Sequence, residues 1–164
     1  MQAAETKTPV SPDTRTNRRF MIPVDDSPGS RRAVRYAGTL LCCIGALEIY
    51  LLHVVAGPDE DMIPPEHDRR QWVAARMRNG KRIVEEAKHM LLQAGVAESA
   101  VHCRVRHTVK GSVGACILNE QKRVGAGTIV IGRRGVSKTE EFLFGSTSNT
   151  IVHTAVECAV WVVM

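Results

Sequence analysis

Aromatic residues are scarce in this 164-residue chain, where two Trp, two Tyr and three Phe together make up 4%. A hydrophobic core must therefore be built from aliphatic side chains. No run of 18 apolar residues occurs, which excludes a transmembrane helix. Residues 1–20 lack the apolar stretch of a secretory signal. The five Cys form neither an even set nor a disulfide framework, so we expect reduced thiols, a cytoplasmic location and no membrane partner.

The positive charge is modest and partly terminal. The chain has 22 Lys and Arg against 17 Asp and Glu, a net charge of +5. Residues 1–18 are polar and rich in Thr, Pro and Ser, and this composition predicts a disordered tail before a domain over residues 19–164. The tail, counted through Arg19, carries two of the five excess charges. The other Lys and Arg are spread over charge-balanced helices without interleaved aromatic residues, so no nucleic-acid partner is expected.

Strand-like apolar runs alternate with helical periodicity along the rest of the chain. The predicted strands are Phe20–Val24, Ala46–Val55, Val101–Thr108, Thr128–Ile131 and Ala159–Met164. The predicted helices are Ser30–Leu41, Arg69–Leu92, one opened by Gly111, and one from Gly145-Ser146 through Val156. This β-α alternation predicts an α/β fold with a parallel sheet and helices on both faces. The half-apolar pattern of Val101–Thr108 suggests a strand at the sheet edge.

Ligands of such folds bind at the carboxyl ends of the strands, so the residues after each strand are the candidate site. Asp25 follows the first strand. The fourth strand is followed by Gly132, Gly135 and, nine residues later, Gly145-Ser146. We expect these glycines to adopt positive φ and to admit a ligand to backbone N–H groups. Gly145-Ser146 falls at a predicted helix N-terminus, where an anion is favoured. Arg133, Arg134 and Lys138 could add positive charge.

The spacing Gly-x2-Gly-x9-Gly-Ser resembles the nucleotide-binding motif of the universal stress protein family. Four further segments resemble that family in the same order: Pro23-Val24-Asp25-Asp26-Ser27, His53-Val54, Gly111-Ser112-Val113 with Ile117, and Ala159–Val163. The resemblance covers roughly residues 19–164. It departs from the family pattern at Ser112-Val113, where Asp-Pro is frequent, and at the two arginines between Gly132 and Gly135.

The resemblance implies an open five-stranded parallel sheet of order 3-2-1-4-5, a Rossmann-like fold of the adenine nucleotide α-hydrolase type. It implies that the site holds ATP, or AMP or another adenine nucleotide, with Mg²⁺ on the phosphates. The implied binding residues are Pro23, Val24, Asp25, Val54, Gly111, Gly132, Gly135, Gly145, Ser146 and Thr147, and we add Arg133, whose charge could bind phosphate or whose side chain could fill the pocket. Of these, Asp25 and Val54 would lie at the nucleoside, Gly111 beside the base, and the later glycines with Ser146 and Thr147 at the ribose and phosphates.

The resemblance also implies a homodimer formed through the fifth strand. Residues 159–164 form an apolar strand, and an exposed apolar edge needs cover, which argues for the same contact independently. An unidentified protein partner is also expected.

Three functions remain open at this stage. The first is an ATP-binding regulatory protein in a stress response, which signals by occupancy with little or no turnover. The second is an interaction module of the same fold that binds no nucleotide, with the arginines filling the site. The third is a slow ATPase or self-phosphorylating protein. The chain has no Gly-x4-Gly-Lys-Ser/Thr, no Gly-x-Ser-x-Gly and no Gly-x-Gly-x2-Gly after the first strand, so no catalytic residue is predicted.

Several residues have simpler structural interpretations. Asp25 could act with Asp26 or Ser27 as a helix cap. His53 is expected to be a hydrogen-bonded core residue. Cys42 and Cys43, as neighbours on a helix, are expected to be small core residues that do not bond each other. No metal-ligand spacing is present, so a zinc site is not expected.

Overall fold

The computed structural model describes residues 18–57, 66–108, 111–133 and 145–164. The strands are β1 (Arg19–Pro23), β2 (Glu48–Ala56), β3 (Val101–Thr108), β4 (Thr128–Gly132) and β5 (Ala159–Val163). The α-helices are α1 (Pro28–Leu41), α2 (Glu66–Gln93), α3 (Val113–Val124) and α4 (Ser146–Thr154). The strands form one sheet of order β3-β2-β1-β4-β5 in which every pair is parallel. The predicted fold class and strand order are confirmed.

Strand β1 lies at the centre of the sheet, where the chain changes direction. Met21 is in register with Tyr50 of β2 on one side and with Ile129 of β4 on the other. The chain winds outward from β1 to β3, then returns to the far side of β1 to form β4 and β5. The carboxyl ends of β1 and β4 therefore flank the topological switch point at which such sheets bind ligands.

Each face of the sheet carries its own aliphatic core. On one face, α1 and α2 cover a cluster that includes Ile22, Leu51 and Val130. On the other, α3 and α4 cover a cluster that includes Met21 and Ile129. Only two ring pairs occur among the described residues: Phe20 with Trp161 and Tyr50 with His102. Val, Ile and Leu therefore supply the core, as the low aromatic content predicts.

Side-chain caps set the starts of α1 and α3, and both starts differ from their predicted positions. Helix α1 begins at Pro28, two residues early, because the Ser27 hydroxyl accepts the Ser30 N–H at 3.1 Å and proline is favoured in the first turn. Helix α3 begins at Val113, capped by Ser112, so Gly111 does not open it. Helix α2 begins at Glu66, three residues before the predicted start.

The ends of several strands, and the end of α4, differ from prediction by one or two residues. Strand β2 begins at Glu48 because Ala46 has φ of 54°, a left-handed conformation that extended backbone does not adopt. Strand β1 ends at Pro23, which has no N–H to donate to the sheet. Helix α4 ends at Thr154, two residues before the predicted Val156. These shifts leave the order of elements unchanged.

Strand β3 is an edge strand, as its sequence pattern predicts. Only Val101 is fully buried, and the other residues are partly exposed. His102 stacks on Tyr50 with ring centroids 4.8 Å apart, whereas Cys103 packs against the core on the α1/α2 face. The two neighbouring side chains therefore point to opposite faces.

Part of the predicted organisation lies outside the described residues. This applies to residues 1–17 of the predicted tail and to Arg134, Gly135 and Lys138. Within the described ranges, no helix is both long and apolar enough to span a bilayer.

Candidate functional site

A cleft opens at the carboxyl ends of β1, β2 and β4. Its volume is about 210 Å³. Backbone and side chains of the strands form one wall of the cleft, and the N-terminal turns of α3 and α4 form the facing wall. Its lining consists of Pro23, Val24, Asp25, Ser27, Ser30, Leu52, His53, Val54, Val113, Ile117, Ile131, Gly132, Thr147 and Ser148. The cleft thus lies at the switch point of the sheet.

The loop between β1 and α1 is held by three hydrogen bonds between residues that are close in sequence. The Ser27 N–H donates to Asp25 Oδ1 at 2.9 Å, and the Asp25 N–H donates to the Ser30 hydroxyl oxygen at 3.1 Å. Ser27 itself caps the helix. Asp25, Asp26 and Ser27 are the candidate caps of α1, and Ser27 is the residue that caps it. The exposed Asp25 carboxylate lies at the margin of the cleft.

His53 is fixed by the strand beside it. Its Nδ1 lies 2.8 Å from the Val24 carbonyl oxygen, and the Val24 N–H donates to the Leu52 carbonyl at 2.8 Å. The ring also lies against Gly80 of α2, where an added Cβ would come 2.7 Å from His53 Cδ2. His53 is therefore hydrogen-bonded as expected, and it lines the cleft as well.

Gly132 is required by close packing, which corrects the expectation of positive φ. The described glycines with positive φ are Gly95, Gly111 and Gly125. A Cβ on Gly132 would instead overlap the Gly29 carbonyl group and lie 2.9 Å from the Ser30 N. A Cβ on Gly29 would in turn overlap the Arg133 carbonyl oxygen. The pair of glycines lets the first turn of α1 touch the end of β4.

Helix α4 begins at the cleft without a side-chain cap. Gly145 is its N-cap, with φ of −66°, and this glycine has no side chain to accept a hydrogen bond from the first turn. Helices α1 and α3, by contrast, are capped by Ser27 and Ser112. The buried Ser148 hydroxyl donates to the Gly132 carbonyl at 3.3 Å, which joins the start of α4 to the end of β4. Among the described residues, the first N–H groups of α4 and the positive end of its dipole are the features that favour an anion.

The structure brings together six of the predicted binding residues in the cleft lining: Pro23, Val24, Asp25, Val54, Gly132 and Thr147. Gly145 and Ser146 begin the adjoining helix and are not in the lining. Gly111 has φ of 99° and open space around its Cβ position, away from the lining. The Arg133 guanidinium lies 4.0 Å from Met164 Sδ, and Arg133 is not part of the lining. Gly135 lies outside the described residues.

Sequence reasoning missed seven lining residues and assigned His53 to the core alone. The seven are Ser27, Ser30, Leu52, Val113, Ile117, Ile131 and Ser148. Ile131 could have been found, because it lies at the carboxyl end of a strand that ends at the site, whereas Leu52 lies in the middle of β2. Val113 and Ile117 could not, because which face of α3 meets the cleft depends on tertiary packing.

The described lining contains no Lys or Arg, and Asp25 is its one carboxylate. Over the described part of the chain, no group of three or more His, Cys, Asp or Glu is placed to hold a metal ion. The described walls are thus mainly apolar, with hydroxyl groups and one carboxylate at the rim, as in many small-molecule sites.

Comparison with known proteins agrees with this geometry. The chain is similar in structure to the universal stress protein UspA from Lactobacillus plantarum, with a TM-score of 0.71 and 19% identity over 93% of this chain and 100% of that one. It is also similar to a universal stress protein in complex with cAMP, with a TM-score of 0.65 and 20% identity over 91% and 98% of the two chains.

A third similar structure is the universal stress protein from Archaeoglobus fulgidus in complex with dAMP. The TM-score is 0.62 and the identity 19%, over 91% of this chain and 99% of that one. No curated protein is significantly similar in sequence. The family model described as universal stress protein family matches residues 16–164. The chain therefore belongs to the universal stress protein family.

Proposed function

We propose that this protein binds an adenine nucleotide, ATP first, and acts as a nucleotide-dependent regulatory protein of a stress response. The observation that carries the proposal is the apolar, hydroxyl-rimmed cleft at the switch point of the sheet. Two proteins of the same fold are known in complex with cAMP and with dAMP, and both ligands contain adenine. Signalling would depend on occupancy of the cleft.

The described walls suit the nucleoside part of the ligand. Val24, Leu52, Val54 and Ile131 offer apolar surface to a flat base. The cleft volume of about 210 Å³ lies below the range of roughly 300–1,000 Å³ that is common for sites enclosing whole small molecules. The described residues would therefore enclose the base and ribose, and the phosphates would extend beyond them.

Among the described residues, the start of α4, where Gly145 provides no capping side chain, is the most favourable position for the phosphates. Its N–H groups follow Gly145, and Thr147 in its first turn lines the cleft. Mg²⁺ fits this arrangement, because it commonly takes phosphate oxygens, waters and one or two carboxylates. Asp25 is the carboxylate within the lining. The predicted contacts of Gly111, Arg133, Gly135, Gly145 and Ser146 remain part of the proposal.

Occupancy without rapid turnover follows from the groups that face the cleft. The titratable side chains in its described lining are Asp25 and His53. His53 holds the Val24 carbonyl through Nδ1 and is packed against Gly80, so its ring is fixed by the strand. Phosphate release from ATP should be compared between the purified unmodified protein and Thr147→Trp, the cleft-filling variant described below. The difference between the two rates measures the hydrolysis that belongs to this site.

Isothermal titration calorimetry with ATP and with AMP, each to about 1 mM, tests the proposal. Thr147→Trp would fill the cleft and should abolish the binding heat. Asn149→Trp is the matched control, since it places the same ring on the exposed side of the same helix. Unchanged circular dichroism in both variants would show that the fold is intact. No heat with either nucleotide in the unmodified protein would overturn the proposal and favour the interaction module.

We also propose that β5 forms a homodimer contact through residues 159–164. Strand β5 is the edge of the sheet, and Met164 beside it is 71% exposed. Val156, just before β5, is also exposed. Met164→Glu should raise the dimer dissociation constant measured by analytical ultracentrifugation. Ile44→Glu, a similar change at an exposed residue near the other end of the sheet, should leave it unchanged. A monomeric unmodified protein would refute this contact.

A further inference from the structure

Two adjacent thiols lie on the turn that follows α1. The helix ends at Leu41, and Cys42 is its C-cap, with its N–H donating to the Gly38 carbonyl at 3.1 Å. Cys42 is partly buried against the core and Cys43 is exposed. The expected helical position is therefore wrong for both residues, and the expected core position is wrong for Cys43. The two Sγ atoms are 3.6 Å apart, and Cys42 Sγ also donates to the Thr39 carbonyl at 3.3 Å. The turn thus presents a preformed, accessible dithiol.

A direct disulfide between these thiols is disfavoured by backbone geometry. Consecutive Cα atoms across a trans peptide are about 3.8 Å apart, whereas disulfides usually join Cα atoms about 4.4–6.8 Å apart. Both thiols are free, as the sequence analysis expects. Two sulfurs on one tetrahedral atom with bonds of about 2.3 Å lie about 3.8 Å apart. The observed 3.6 Å is close to that span, so the pair is suited to hold one bridging soft atom.

The ligand set decides which soft atom fits. A zinc ion needs four protein or water ligands and is usually held by three or more side chains. Around this turn, as elsewhere in the described ranges, no third His, Cys, Asp or Glu completes such a group. Trivalent arsenic forms only three single bonds, and two sulfurs with one hydroxide or organic group satisfy it.

The protonation state of Cys42 is compatible with an arsenic ligand. The hydrogen bond with Cys43 raises the pKa of the Cys42 thiol above its ordinary value. This thiol is therefore protonated at neutral pH. A protonated thiol suits condensation with an arsenic(III) hydroxide, because the thiol proton leaves with the hydroxide as water.

We propose that Cys42 and Cys43 form a two-thiol binding site for trivalent arsenicals. In the capture of arsenous acid, two As–O bonds break and two As–S bonds form. The two thiol protons and two hydroxides leave as two waters, and the oxidation state of arsenic does not change. The third arsenic substituent stays in place.

A cleft beside Cys42 favours organic arsenicals. It has a volume of about 490 Å³. Its lining includes Cys42, Ile44, Leu47 and Val96, and Glu48 is its one charged residue. An aryl group on the arsenic could lie along this largely apolar surface. Helix α1, about 21 Å long for its 14 residues, separates this turn from the nucleotide cleft, so the two proposals stand or fall separately.

Phenylarsine oxide is the probe that tests the site. Its As=O oxygen leaves as one water when two thiols bind the arsenic. Intact-mass spectrometry of the unmodified protein should show one phenylarsenic adduct per chain. That adduct should survive excess 2-mercaptoethanol and be removed by 2,3-dimercaptopropanol. Cys42→Ser and Cys43→Ser should each weaken retention by roughly 100-fold, because a single As–S bond loses the chelate advantage.

Cys158→Ser and Cys116→Ser are the matched controls, because these cysteines lie before β5 and on α3 and have no thiol neighbour in sequence. Both should keep the adduct. Cys43 is exposed, so Cys43→Ser should also keep the circular dichroism spectrum and melting temperature of the unmodified protein. The proposal is overturned by an unmodified protein that takes no adduct, or by a Cys43→Ser protein that retains it equally well.

Discussion

Glu120 should make a pH-dependent contribution to stability that a single substitution can isolate. Its carboxylate accepts hydrogen bonds from Arg123 Nη2 at 2.6 Å and from Arg106 Nε at 2.8 Å, and the second of these ties α3 to β3. Its side chain is 11% exposed. The hydrogen bonds from Arg123, and next those from Arg106, outweigh desolvation and lower the pKa of Glu120 to about 2.

The magnitude follows from linkage between protonation and folding. A fall from 4.5 to about 2, at about 1.4 kcal/mol per pKa unit, gives at most about 3.5 kcal/mol of stabilisation. The two arginines are 39% and 48% exposed, so solvent screening reduces the effect. We expect Glu120→Gln to lower the free energy of unfolding by about 1–3 kcal/mol at pH 7.

The sign of the pH dependence is fixed because the folded-state pKa is lowered. The stabilisation is complete above about pH 5 and is lost as the pH falls toward 2, where the carboxylate becomes protonated. Urea denaturation followed by circular dichroism, from pH 7 to pH 3, measures it. The difference between the unmodified protein and Glu120→Gln should shrink over this range.

The matched control is Glu98→Gln. Hydrogen bonding to Lys88 lowers the pKa of Glu98 as well, but Glu98 is 72% exposed. Removal of this surface pair should lower the free energy of unfolding much less than Glu120→Gln does, because solvent screens exposed ion pairs. Equal losses from the two substitutions, or a Glu120→Gln loss that does not change between pH 7 and pH 3, would refute the reasoning.

Three further substitutions test the packing of the fold by urea denaturation. Gly132→Ala places a methyl group on the Gly29 carbonyl and should cost about 1–3 kcal/mol, so an unchanged midpoint would contradict the close approach. Ser112→Ala removes the acceptor of the Ala115 N–H and should cost about 1 kcal/mol, whereas a neutral effect would show that water caps α3 equally well. Ile49→Val trims a fully buried side chain and should cost about 0.5–1.5 kcal/mol, with a smaller loss implying that the core relaxes around the gap.

Local sequence pattern was sufficient to predict the strands, the helices and the parallel α/β class, whereas the strand order was predicted from the family resemblance. The apolar runs that became β2 and β4 are buried on both faces, so their hydrophobicity is continuous and easily read. The site was predicted less completely, because part of its wall comes from helices. Whether Val113 and Ile117 face the cleft depends on how α3 packs on the sheet, which residue spacing does not define. The importance of Gly29 was missed for the same reason, since its partner, Gly132, is remote in sequence.

The position of Gly132 determines which substitutions can measure nucleotide binding. A side chain there would push α1 away from β4, and the loop that carries Asp25 would move with it. Loss of binding in a Gly132 variant would thus follow from displaced packing as readily as from a lost ligand contact. Thr147 is partly exposed and lines the cleft, so its side chain can change with less effect on the core. A lower nucleotide affinity in a Thr147 variant with an unchanged free energy of unfolding would therefore measure the contact with the ligand itself.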